Sequence, residues 1–203
     1  MRRFSLLAFI ILLTFSLPAL TASATTYKVD LDHSTVSFKI RHLFSQVHGN
    51  FREFEGTIQY DPAKPEDSKV EGKVKADSID TNVPQRDKHL KSQDFFETVK
   101  YPELTFKSTK FTKTSDNAGQ LEGLLNIHGV EKPVTFDVEL HGEGKDPWGN
   151  VRAGFSANTK INRKDFGLTW NKTLETGGAL VGDDVDITLD IEGLAEEAEK
   201  SAG

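Results

Sequence analysis

The chain is 203 residues long, with a formal net charge of −6, 16 glycines and no cysteine. Without cysteine, an exported chain has no disulfide staples, no thiol chemistry and no lipid attached through sulfur. An acidic chain that lacks a lysine–arginine cluster is also a poor nucleic-acid binder, because phosphate neutralisation dominates that affinity.

The first two dozen residues read as a targeting segment. Arg2 and Arg3 give a basic start, Leu6 to Leu17 is apolar or small, Pro18 breaks the run, and Ala22-Ser23-Ala24 offers the small residues a signal peptidase needs. The apolar run is shorter than the roughly 20 residues of a spanning helix, so no integral membrane span is expected once the chain is cleaved after Ala24. Removing residues 1–24 takes away two arginines and no acid, and the net charge moves from −6 to −8.

From Tyr27 to Leu194 apolar and polar residues alternate, the period of half-buried strands whose successive side chains point to opposite sides of a sheet. Tyr27 to Asp30 is a first short strand, Asp32-His33-Ser34 a turn, and Thr35 to Leu43 a second strand with Val36, Phe38 and Ile40 on one face. The alternation lapses from Phe44 to Asn50, where Gly49-Asn50 suits a turn. Strands follow over 51–60 and 69–76, separated by Asp61-Pro62 and a polar stretch.

Residues 82–100 break the pattern as a helical insert, with one turn over Asp87 to Leu90 and a helix over Gln93 to Val99 capped by Ser92. Such an insert caps one end of a barrel. Strands resume over 104–111, 120–128, 133–141, 151–161 and 185–191, and Ala195 to Gly203 is an acidic, disordered tail. No linker or repeat divides residues 25–194, so roughly eight or nine antiparallel strands make one all-β barrel or sandwich. Glycines 56, 72 and 123 fall on the apolar side of their strands. Taken alone, they read as relief at bends and bulges.

Chemistry-bearing patterns are sparse. The histidines at 33, 42, 48, 89, 128 and 141 contain no HxH or HxxxH pair, so no metal is expected. Asp183, Asp184 and Asp186 lack a calcium-loop frame and read as a solvated acidic turn. No nucleophile elbow and no phosphate-cradling glycine loop is present. Two polar clusters, one with Arg86, Asp87 and His89 and one with Arg163 and Asp165, fall in segments expected at a barrel end. They suit either a ligand's anionic head group or a structural ion-pair network.

Asp32-His33-Ser34, Arg41-His42, Arg86-Asp87 with His89-Leu90, Asp94-Phe95-Phe96, Tyr101-Pro102, Ile127-His128-Gly129-Val130, Lys132-Pro133-Val134, Asn162-Arg163 with Asp165-Phe166-Gly167, and Val181-Gly182-Asp183 occur in the order of the YceI-like family, which the chain resembles over Tyr27 to Leu194. Asn126 departs from the threonine common there. The resemblance implies a lipocalin-like, antiparallel eight-stranded β-barrel with a long apolar channel, a periplasmic location, and binding of a polyisoprenoid or other long-chain lipid. It implies no cofactor, and a homodimer is left open. On this reading the inward glycines make room for a chain.

The expected lining is Phe38, Ile40, Phe54, Ile58, Leu104, Phe106, Leu125, Ile127, Phe136, Val138, Phe155 and Ile187. The preferred reading is a carrier that performs no chemistry, with no catalytic residues. The alternative is an enzyme modifying an isoprenoid lipid through His42, His89 or Asp87 at the barrel mouth. A third is a ligand-free interaction module.

Overall fold

The computed structural model describes residues 24–175 and 177–196. The signal-peptide expectation and most of the acidic tail lie outside these residues. Ala195, expected in the tail, ends the last strand instead, paired with Tyr27, and just beyond it the Glu196 N–H donates to the Thr26 carbonyl at 2.8 Å. Among the described residues, no helix is long and apolar enough to cross a membrane.

The strands are β1 (Thr25–Val29), β2 (Thr35–His42), β3 (Ser45–Phe51), β4 (Phe54–Tyr60), β5 (Lys69–Lys75), β6 (Ile79–Asp80), β7 (Glu103–Lys113), β8 (Ala118–Ile127), β9 (Val130–Lys145), β10 (Val151–Asn162) and β11 (Val181–Ala195), with one helix, α1 (Pro84–Leu90). Every neighbouring pair is antiparallel, and β1 closes the sheet on β11. β11 pairs first with β2 through Val181–Asp190 and then with β1 through Gly193–Ala195. The segments β1–β2, β3–β4 and β5–β6 therefore act as three long broken staves, which join β7 to β11 to make a closed barrel of eight.

The breaks have local causes. Between β1 and β2, a 3-10 turn over Leu31–His33 takes the chain out of the ladder. The Ser34 hydroxyl then substitutes for a strand partner, accepting from the Glu192 N–H at 3.0 Å and donating to its carbonyl at 3.3 Å. Arg152 of β10 holds the same junction from outside, with contacts to Asp30 at 2.6 Å, Asp146 at 3.0 Å and Glu192 at 2.5 Å. The β8–β9 hairpin turns on His128 at φ 55° and Gly129 at φ 74°, the left-handed pair that a tight hairpin matching strand twist requires.

Two elements differ from the sequence expectation. Ser45–Phe51 is a strand, paired with β2 from Val36↔Phe51 to His42↔Ser45, and not a lapse. Its alternation is hidden because Gly49 holds an inward position that the Phe38 ring of β2 fills. The helix of the insert is Pro84–Leu90, where proline at the first position is pre-set for helical φ. Gln93–Val99 forms turns: Phe95 is buried, Phe96 packs on the same core, and Glu97 takes φ 46°. Adjacent residues on a helix point about 100° apart, so two neighbouring phenylalanines facing one core favour a turn.

Two apolar clusters fill the ends of the barrel. Leu125, Ile127, Ile161, Phe166 and Leu168 form one beneath the insert, and Tyr27, Ile58 and Ala153 form the other near the chain termini. A cavity runs between them.

Candidate ligand channel

Inward positions on every stave open onto one cavity of about 560 Å³, within the usual ~300–1,000 Å³ of small-molecule sites. All twelve nominated apolar residues lie on its walls: Phe38 and Ile40 from β2, Phe54 and Ile58 from β4, Leu104 and Phe106 from β7, Leu125 and Ile127 from β8, Phe136 and Val138 from β9, Phe155 from β10, and Ile187 from β11. The rings meet edge-on, as aromatic quadrupoles prefer, with Phe106 and Phe136 centroids 5.2 Å apart at 78°. Phe51 and Phe96 meet at 6.0 Å and 84°.

The inward glycines do a different job from the one expected of them. A Cβ on Gly49 would lie 2.4 Å from the Phe38 ring, one on Gly123 2.4 Å from Phe106, and one on Gly119 2.3 Å from Phe111. At these sites the volume is occupied by a ring from the neighbouring strand, laid flat along the wall. The lumen stays open because the phenylalanines lie down and not because the glycines face emptiness. Of the three glycines expected to face inward, only Gly123 is covered by a ring: a Cβ on Gly56 would meet the Glu71 carbonyl at 2.8 Å, and Gly72, with only the Glu55 carbonyl near it at 3.8 Å, is roomy as expected.

The two ends of the channel differ. Polar residues of the β7–β8 turn, Ser115, Asp116 and Asn117, rim one end together with Pro62 and Pro65. At the helical end, α1 presents Arg86, His89 and Leu90 to the cavity, and the segment after β10 contributes Arg163, Phe166, Leu168 and Trp170. His89 stands edge-on to Phe95 at 5.1 Å and to Trp170 at 4.9 Å, and its Nε2 lies 2.8 Å from Asp94 Oδ2. Trp170, Phe51, Phe96 and Phe111 were missed in the sequence. Trp170 sits in an irregular segment without periodicity, Phe51 follows a stretch read as a turn, and Phe96 lies within the segment read as a helix.

Of the five polar candidates, Arg86, His89 and Arg163 line the cavity. Arg163 is buried at 3% exposure, and its guanidinium donates to the Gly182 carbonyl at 2.8 Å and to the Leu168 carbonyl, while Nη2 faces Asp183 at 3.6 Å. Burial pulls its pKa below the usual arginine range, and the Asp183 charge opposes that pull. Asp183 is held below the ordinary carboxylate range chiefly by Lys164, 2.8 Å away. Arg163 therefore ties the post-β10 loop to β11. Asp87 does not face the cavity: its carboxylate accepts from the Thr81 N–H and hydroxyl. Asp165 is exposed and has no hydrogen bond or ion pair among the described residues.

Two of the three acids weighed for calcium are engaged by lysine, Asp183 with Lys164 and Asp186 with Lys160 at 3.2 Å. Asp30, His33 and Glu192 converge as metal ligands would, yet the Arg152 guanidinium already occupies the space between Asp30 and Glu192.

A closed eight-stranded antiparallel barrel enclosing an apolar channel defines a lipocalin-like binding fold. The family model described as the YceI-like domain matches residues 27–193, and the chain belongs to that family. A UPF0312 protein of Pseudomonas putida is 41% identical over 187 residues, covering 91% of this chain and 94% of the relative. The crystal structure of the Campylobacter jejuni YceI protein superposes with a TM-score of 0.68 at 36% identity, covering 77% of this chain and 90% of that one. A polyisoprenoid-binding domain from Saccharophagus degradans shares the fold at a TM-score of 0.57 and 14% identity, over 84% of this chain and 98% of that domain.

Proposed function

We propose that this protein is a periplasmic carrier that binds a long-chain amphiphile of the polyisoprenoid class, or a related lipid, and holds it in the barrel channel without altering it. The observation that carries this reading is the predominantly apolar, aromatic-rich lining of a cavity enclosed by eight staves. The likeness to a polyisoprenoid-binding domain of Saccharophagus degradans supports the ligand class, and the basic-then-apolar leader ending at Ala24 supports export.

The energetics are adequate without a charged anchor. Burying ten methylene equivalents contributes roughly 8 kcal/mol gross, set against the cost of immobilising the chain. Each further methylene adds about 0.8 kcal/mol, so a tail of about twenty carbons gives roughly 16 kcal/mol gross and exceeds most of the ~4–15 kcal/mol range of that cost.

The enzymatic alternative needs an acid–base group free to reach substrate. Asp87 is engaged by Thr81 and turned away from the channel, which removes it as a candidate, while His42 and His89 line the channel and carry what is left of this reading. The test is to incubate the lipid-free protein with a prenyl phosphate and follow both binding and product. Saturable binding with the lipid recovered unchanged supports the carrier; a changed product overturns it in favour of the enzyme.

A further inference from the structure

Charge is distributed unevenly along the channel. Away from the helical end the charged residues on its lining are of both signs, Lys73, Lys113 and Asp116 with Glu55, Glu71 and Glu139, whose exposed positions alternate with the inward ones; the helical end presents Arg86, His89 and Arg163 and no carboxylate. Two of these three have acidic partners behind them, Arg163 facing Asp183 and His89 bonded to Asp94.

Arg86 is different. Its Nε donates to Thr81 Oγ1 at 2.7 Å and its Nη2 to the Thr81 carbonyl at 2.8 Å, both neutral oxygens. Among the described residues no carboxylate lies within ion-pair distance of it, and Nη1 makes no hydrogen bond. Thr81, buried at 3% exposure, is itself oriented: its hydroxyl proton goes to Asp87 Oδ1, which leaves a lone pair for Arg86 Nε. The relay from Asp87 through Thr81 fixes the plane of the guanidinium while leaving its charge uncompensated. One turn further along α1, His89 packs against the rings of Phe95 and Trp170, so the end of the channel that Arg86 lines is aromatic, surroundings of low polarity in which a charge–charge contact is strengthened.

We propose that Arg86 forms an oxyanion subsite at the helical end of the channel, taking the phosphate or carboxylate head of an amphiphile whose tail lies along the aromatic wall. The inference deepens the carrier reading and rests on it. A planar, fixed guanidinium matches a phosphate or carboxylate oxygen pair in a way that an ammonium does not. Asp87 and Thr81 are positioning residues, since neither reaches the ligand.

The experiment measures affinities of the lipid-free mature protein for farnesyl phosphate, farnesol, palmitate and hexadecanol at low ionic strength, for the wild type, Arg86→Gln and Arg86→Lys. The wild type is expected to bind one or both anionic ligands about tenfold more tightly than the alcohol of the same tail. Preference for the phosphate alone or the carboxylate alone names the source of the anion. Arg86→Gln should bring anion affinity down to that of the alcohol of the same tail, and Arg86→Lys should retain part of the preference. Equal wild-type affinity for anion and alcohol overturns the subsite while leaving the carrier intact, and needs no variant to fold. Undiminished preference in folded Arg86→Gln also overturns it. Failure of all four ligands to bind overturns both readings.

Discussion

A phenylalanine on a barrel wall can either plug the lumen or lie along it, and the choice at Phe38 is made by Gly49 on the next strand. The two residues are directly paired, and a Cβ on Gly49 would meet only side-chain atoms: the Phe38 ring at 2.4 and 2.7 Å and the Thr81 methyl at 2.9 Å. Gly49→Ala should push the ring off the wall toward the lumen, cost about 1–3 kcal/mol of stability through overpacking, and weaken lipid binding. Adding Phe38→Leu should recover part of both losses. Denaturant unfolding of the two single variants and the double variant checks this as a coupling energy; strictly additive effects would contradict it. The inward faces of Gly56, Gly72 and Gly123 were legible in the sequence because alternation assigns them, whereas Gly49 read as part of a turn. The rings that cover Gly49 and Gly123 were not legible, because register between neighbouring strands decides which aromatic meets which glycine.

At the scale of elements, the barrel is closed by a three-element junction around Arg152. Asp30 is drawn down to about 2 by its Arg152 bond and then by His33, and Asp146 to about 2 by Asn150 and then by Arg152. A carboxylate whose folded pKa lies below its ordinary value near 3.8 contributes fully above that value, and the contribution fades as pH falls toward 2. His33, raised by its bond to Asp30, behaves oppositely, contributing fully below 6.5 and losing the contribution as pH rises through its folded value.

Arg152→Met should therefore lower the thermal midpoint at neutral pH, with the deficit narrowing as pH drops from about 4 toward 2. A deficit independent of pH across that window would show that the carboxylates are not what Arg152 stabilises. The strands with clean alternation, above all β9 through Val134, Phe136 and Val138, were legible with their inward faces. The junction was not, since Asp30 and Arg152 lie 122 residues apart and no local pattern links them. The position of the helix within the insert was also obscured, because Ser92 resembles an N-cap while its hydroxyl instead donates to the His89 carbonyl at 2.7 Å.

For the whole molecule, the central matter is a lumen left apolar and unfilled in a chain of 203 residues that carries 14 phenylalanines. Cores are ordinarily packed to crystal-like density, so an apolar cavity of about 560 Å³ forgoes contacts that a filled interior would have made. A bound hydrocarbon restores them. Phe136, at 5% exposure on the channel wall and edge-on to Phe106, is a sensitive point. Phe136→Asp should abolish lipid retention, and a folded variant with unchanged lipid content would count against the channel as the site. The most direct measurement is native mass spectrometry of the protein exported to the periplasm and purified without detergent. One stoichiometric adduct with the mass of a long-chain lipid, lost on organic extraction, is the predicted result; mature protein that is empty in every preparation would contradict it.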